Sequence, residues 1–143
     1  MTSNHIAMTL VIKAPIEKVW QALGQWENQG DWMLLTKVEV TSKIREGVGT
    51  SIAAFTGIGK LGLMDHMTVT AWQPPNICDV VHTGRIIKGT GRFELTQIDA
   101  FTTRFDWSEE IEAPRAIFLL IAPGLYAGVR ISLMAFRRQL QSV

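Results

Sequence analysis

Asp65, Glu109 and His82 carry most of the chemistry open to this 143-residue sequence. A carboxylate facing a poorly hydrated interior has its pKa raised and can then exchange a proton, and an imidazole titrates near neutrality unaided. Strand parity decides where each points. From Asp65 to Ala71, Met67, Val69 and Ala71 are apolar while His66, Thr68 and Thr70 are polar. The apolar set faces the core, and period two carries Asp65 to the same side. Phe105 and Trp107 face inward by the same rule, so Glu109 does too, with Arg104, Asp106, Ser108 and Glu110 outside. Phe93 and Leu95 match them across a hairpin, and Arg104 and Glu94 are placed to pair. Cys78, Val80 and His82 share one face; Ile77, Asp79 and Val81 share the other. If Asp79 points out, His82 points in.

Glu109 and Asp65 are therefore the candidate acid/base residues, and His82 a candidate ligand contact. The plainer alternatives are carboxylates that reach water at strand ends and a satisfied histidine at the sheet edge. Tyr126, the sole tyrosine, either borders a pocket with its hydroxyl inward or packs at a stripe edge. Cys78, the one cysteine, reads as a small buried hydrophobe. His5 falls at a frayed terminus and His66 faces solvent, so the dispersed histidines give no metal-site spacing, and no metal or cofactor is expected. No serine sits in a nucleophile elbow. The glycines at Gly57, Gly59 and Gly62, and at Gly84, Gly89 and Gly91, lack the lysine-serine/threonine of a phosphate loop and read as turns and hairpin ends.

The elements that must position these groups follow from periodicity. His5 to Ile12 alternates as a strand. Ala14-Pro15 then opens a helix, proline being tolerated where its missing N–H would have no partner. Ile16, Val19, Trp20 and Leu23 recur at helical spacing up to Gly24, and a short second helix or turn is pinned by Trp26 and Trp32. Strand signals run from Val38 to Ile111, punctuated by the tip Gly57 to Gly62, the turn Pro74-Pro75-Asn76, the loop Gly84 to Lys88 and the turn Asp99-Ala100. Short connections favour an antiparallel meander. After Pro114, Leu125, Val129, Leu133, Phe136 and Leu140 form one helical stripe, with a kink expected at Pro123-Gly124.

Composition bounds the rest. One domain over residues 1–143 is expected by length. Hydrophobic residues make up 47% and charged ones 19%, apolar for a soluble domain, which fits a cavity, a subunit interface or ordinary core. Fourteen Lys and Arg against 13 Asp and Glu, unclustered, argue against a nucleic-acid partner. The N-terminus lacks a signal-peptide pattern, so the cytoplasm is the default location. The longest apolar run, Ala116 to Val129, is roughly 14 residues against the ~20 of a span, so no stable membrane insertion is expected.

The segment Ile12-Lys13-Ala14-Pro15-Ile16-Glu17-Lys18-Val19-Trp20-Gln21-Ala22-Leu23 resembles the opening of the START-like (SRPBCC, Bet v 1-like) helix-grip superfamily, and of its polyketide cyclase/dehydrase group in particular. Trp32, Val69-Thr70-Ala71-Trp72 before Pro74-Pro75, Thr103 to Trp107, and Gly124 to Leu140 extend the likeness over nearly the whole chain. The resemblance implies an α+β helix-grip fold: a curved antiparallel sheet of six or seven strands around a long C-terminal helix, with two short helices after the first strand. It further implies an internal cavity for an apolar or aromatic small molecule of lipid, polyketide or quinone type. Candidate lining residues are Met64, Met67, His82, Phe93, Phe105, Trp107, Leu125, Tyr126, Val129 and Leu133. A bulge near the start of its strand would turn Met64 inward. A cyclase/dehydrase-like enzyme and a chaperone-type interaction protein with a collapsed cavity are the alternatives. The apolar approach from Arg115 to Leu125 fits a lid or a homodimer surface.

Overall fold

In the computed structural model, which describes residues 2–141, the chain runs through seven strands before its long helix. The strands are β1 (Thr2–Ile12), β2 (Thr36–Val40), β3 (Ser51–Ile58), β4 (Leu61–Gln73), β5 (Ile77–Thr83), β6 (Lys88–Asp99) and β7 (Thr102–Ala113). They form one antiparallel sheet in the order β1-β7-β6-β5-β4-β3-β2. Helix α1 (Ile16–Gly24) starts after Pro15 and buries Ile16, Val19, Trp20 and Leu23, as their spacing requires. A 3-10 turn at Trp26–Asp31 follows, and α2 (Arg115–Gln141) closes the chain. This is the expected helix-grip architecture.

The core lies between the concave face of the sheet and the second half of α2. Phe105 and Phe136 meet edge-on at 6.1 Å, Phe93 stands 5.7 Å from Phe105, and Trp32 covers Phe136 at 4.6 Å. Leu133 and Leu140 complete the buried stripe. The C-terminal end of α2 is tied to the start of the domain, where Lys18 Nζ donates to the Leu140 carbonyl and the Lys13 amide donates to Gln141. At the other end, Asn4 Nδ2 donates to the carbonyls of Ile111 and Ala113, fixing β7 just before α2 begins.

Three expectations are corrected. The pairing of β4 with β5 slips at Thr70, so strict alternation fails there: Ala71 pairs Asp79 and Trp72 pairs Cys78. Trp72 rather than Ala71 thus turns inward, against Trp20 at 4.8 Å and Trp26 at 6.4 Å. His5 is no frayed end. It sits within β1, its Nδ1 2.6 Å from Glu110, and with Ser3 it holds that carboxyl below its ordinary pKa. Arg104 faces Thr96 and pairs with Asp106, not Glu94, while Arg92 forks onto Asp79 at 2.7 and 2.9 Å. At Pro123-Gly124, where a kink is expected, α2 continues as one helix through Pro123.

Candidate functional site

Three inward side chains on three different strands meet at one point. His82, on β5, has Nδ1 2.8 Å from Asp65 Oδ1 of β4 and Nε2 2.7 Å from Glu109 Oε2 of β7. Asp65 lies two residues along β4 from Met67, the register partner of His82. Glu109 belongs to a strand not adjacent to β5 at all. Strand β6 separates them, and a side chain on its inner face at this level would block the contact. The residues there are Gly89 and Gly91, paired with His82 and Val80 on one side and with Ile111 and Glu109 on the other. A Cβ on Gly91 would stand 3.2 Å from the Glu109 carboxyl atoms, and one on Gly89, at φ +133°, would strike the Glu110 carbonyl. The bare stretch of β6 is the channel through which His82 reaches Glu109.

These glycines were expected to be turn residues; both lie inside a strand, one residue apart. His82, for which a place at the sheet edge was the plainer alternative, is on the central strand of the seven. Its side chain is 4% exposed, against 20% for Asp65 and 17% for Glu109. The histidine is sealed, while both carboxylates keep an outlet.

Burial works against a charge on His82, but hydrogen bonds to Asp65 and Glu109 and the attraction of both outweigh it and push its pKa up to about 10. At neutral pH it is an imidazolium donating through both ring nitrogens. Burial also raises the Glu109 pKa, with His82 opposing and Asp65 adding. Because both donors of His82 are used, what the cluster offers a ligand is carboxylate lone pairs. A metal would find no free ring nitrogen, and among the described residues no His/Cys/Asp/Glu group is arranged to hold one.

The chain matches the family described as polyketide cyclase/dehydrase and lipid transport over residues 3–141. It belongs to that family. Solved structures share its fold at low identity. A START superfamily protein from Mycobacterium smegmatis superposes with a TM-score of 0.78 at 10% identity, covering 99% of both chains. The Zhui aromatase/cyclase from Streptomyces sp. R1128 gives 0.72 at 17%, and the Aha1 dimer from Colwellia psychrerythraea 0.71 at 19%, each covering 96% of both chains. No curated protein matches the sequence. The family, whose description includes lipid transport, fits a hydrophobic ligand-binding role.

The remaining expected lining residues are dispersed. Met67, Phe93, Leu125 and Val129 are half-buried against the core, and Trp107 is buried opposite Phe93. Phe105 and Leu133 are core residues proper. Tyr126 is 42% exposed, and so is Met64 at 44%, against expectation. β4 runs in unbroken register with β3 from Leu61 to Thr68, so Met64, next to inward Asp65, faces outward. A cavity of about 10 Å³, room for one water, is lined by Trp20, Leu23, Gly24, Trp26, Trp72, Cys78 and Phe93. Phe93 is the one expected lining residue that borders it. Cys78 beside it is inert as a nucleophile, its thiol pushed up to about 12 by burial and by Asp79.

Proposed function

We propose that this protein binds an apolar or aromatic small molecule against the concave face of its sheet, with the Asp65–His82–Glu109 cluster receiving the polar end. The observation that carries this reading is a sealed imidazole ring, bonded at both nitrogens, between two partly exposed carboxyl groups, with half-buried Met67, Val80, Phe93 and Ile111 nearby on the sheet. Apolar area supplies most of the affinity, at ~25 cal/mol per Å². The cluster supplies orientation and favours a ligand that presents an O–H, such as a phenol, quinol or hydroxylated chain. A cytoplasmic location fits a family of soluble carriers and enzymes.

Proton transfer is the second reading, favoured by the raised pKa of Glu109. Its carboxylate would take a proton from a bound polyketide-like chain and return it to the departing hydroxyl, with His82 holding the charge in place. Native mass spectrometry of protein purified without detergent, followed by displacement of an aromatic fluorescent probe with lipids, quinols and phenols, tests binding. A bound apolar mass and competition by O–H-bearing ligands support it; empty protein with no displacement removes it. For catalysis, Glu109→Gln abolishes turnover of a substrate so found, and an unchanged rate ends that reading.

A further inference from the structure

Helix α2 is long and apolar enough to cross a membrane, yet only 17% of its most apolar stretch is buried. Its second half is committed to the core through Leu133, Phe136 and Leu140, so the helix is no span. Its first half turns Phe118 into the core but leaves one face bare: Ile117, Leu119, Leu120 and Ile121 are exposed, Leu120 at 81%. The topology brings other apolar residues to the same end of the sheet. There β3 ends, β4 begins, β5 ends, β6 begins and β7 gives way to α2. The β3–β4 tip exposes Ile58 and Leu61, the latter at 83%, and the β5–β6 loop exposes Ile86 at 74%.

Cations alternate with these apolar residues. Lys60 is in the first tip, Arg85 and Lys88 flank Ile86, and Arg115 opens α2. Among the described residues none of the four is paired with a carboxylate, unlike Arg45, Arg92 and Arg104. No acidic residue occurs in 57–63, 83–88 or 114–129. Glu112, the acid that precedes Arg115 in the chain, shares the outward parity of Glu110 on β7.

We infer that this end of the sheet, with the first half of α2, docks on the surface of an anionic phospholipid bilayer. The apolar tips enter the headgroup–acyl boundary while Lys60, Arg85, Lys88 and Arg115 meet lipid phosphates. The alternation of sign-uniform cations with exposed Leu and Ile favours lipid over a second copy of the chain, whose identical cations would oppose it. This docking does not depend on the cluster or on any ligand.

Co-sedimentation of the full chain with phosphatidylcholine vesicles, with and without phosphatidylglycerol, tests it. Binding to the anionic vesicles that weakens with salt is expected. Lys60→Ala and Arg85→Ala each lower partitioning about fivefold, and Leu61→Asp or Leu120→Asp abolish it. Phe101→Asp, at the opposite end of the sheet, leaves it intact and controls for general stickiness. No binding to either vesicle, equal binding to both, or a stable dimer in sedimentation velocity that Leu120→Asp dissociates would each overturn the inference.

Discussion

His82 Nε2 and Glu109 Oε2 stand 2.7 Å apart although a whole strand runs between their backbones. Two inter-strand steps amount to about 9.6 Å, so both side chains must lean over β6 to meet. They do so above Gly89 and Gly91, and that contact, together with Asp65, holds the charge on His82 against the effect of burial.

An NMR titration of the imidazole resolves the charge state. His82 is expected to stay protonated through neutral pH and to titrate at about 10. Asp65→Asn and Glu109→Gln each lower that value, and the double variant drops it below 6.5, since burial alone then remains. A wild-type midpoint near 6.5 would disprove the imidazolium.

Stability should fall as pH rises. The folded pKa of His82 exceeds its unfolded value of 6.5, so its contribution is complete below pH 6.5 and is lost as pH climbs toward about 10. Glu109 has the same sign, its folded pKa also lying above 4.5, and so adds a decline beginning near that pH. Urea midpoints across this range measure the slope. His82→Asn flattens the alkaline part of the slope.

The two glycines of β6 separate sterics from electrostatics. Gly91→Ala crowds only a carboxyl group that can rotate, costing about 1–3 kcal/mol and lowering the His82 pKa as Glu109 withdraws. Gly89→Ala meets backbone at a positive φ and destabilises more severely. Paired urea melts and imidazole titrations of the variants check both.

Truncation of the held and free parts of α2 should differ sharply. Phe136→Ala removes a ring packed against Phe105 and Trp32 and costs about 3–5 kcal/mol. Tyr126→Ala, at an exposed position, stays within about 0.5 kcal/mol. Thermal or urea unfolding reads the contrast.

Much of this was legible in residue order. Ala14-Pro15, the spacing of Ile16, Val19, Trp20 and Leu23, and the alternation of the strands specify the fold through local geometry. Parity aimed Asp65 and Glu109 inward, and His82 as well on the condition that Asp79 points out, which its pairing with Arg92 meets. What parity could not supply was their meeting, because contact across a strand depends on what is missing from that strand. Gly89 and Gly91 look like turn residues one at a time; only register shows that they lie between His82 and Glu109. The slip at Thr70 was hidden for a related reason. An inserted residue changes no residue type, yet it exchanges Ala71 for Trp72 at the core.

Pro123 removes one N–H from α2, so the Leu119 carbonyl has no partner one turn later. That missing rung falls between a segment gripped by aromatic rings and one that buries Phe118 but leaves Ile117, Leu119, Leu120 and Ile121 in solvent. Amide exchange along the helix should therefore change abruptly rather than fray gradually, with slow protons confined to the turns around Leu133 and Phe136. The helix is thus a beam pinned at both ends, to β7 and to the aromatic cluster, and what give it has is confined to the span around the absent rung.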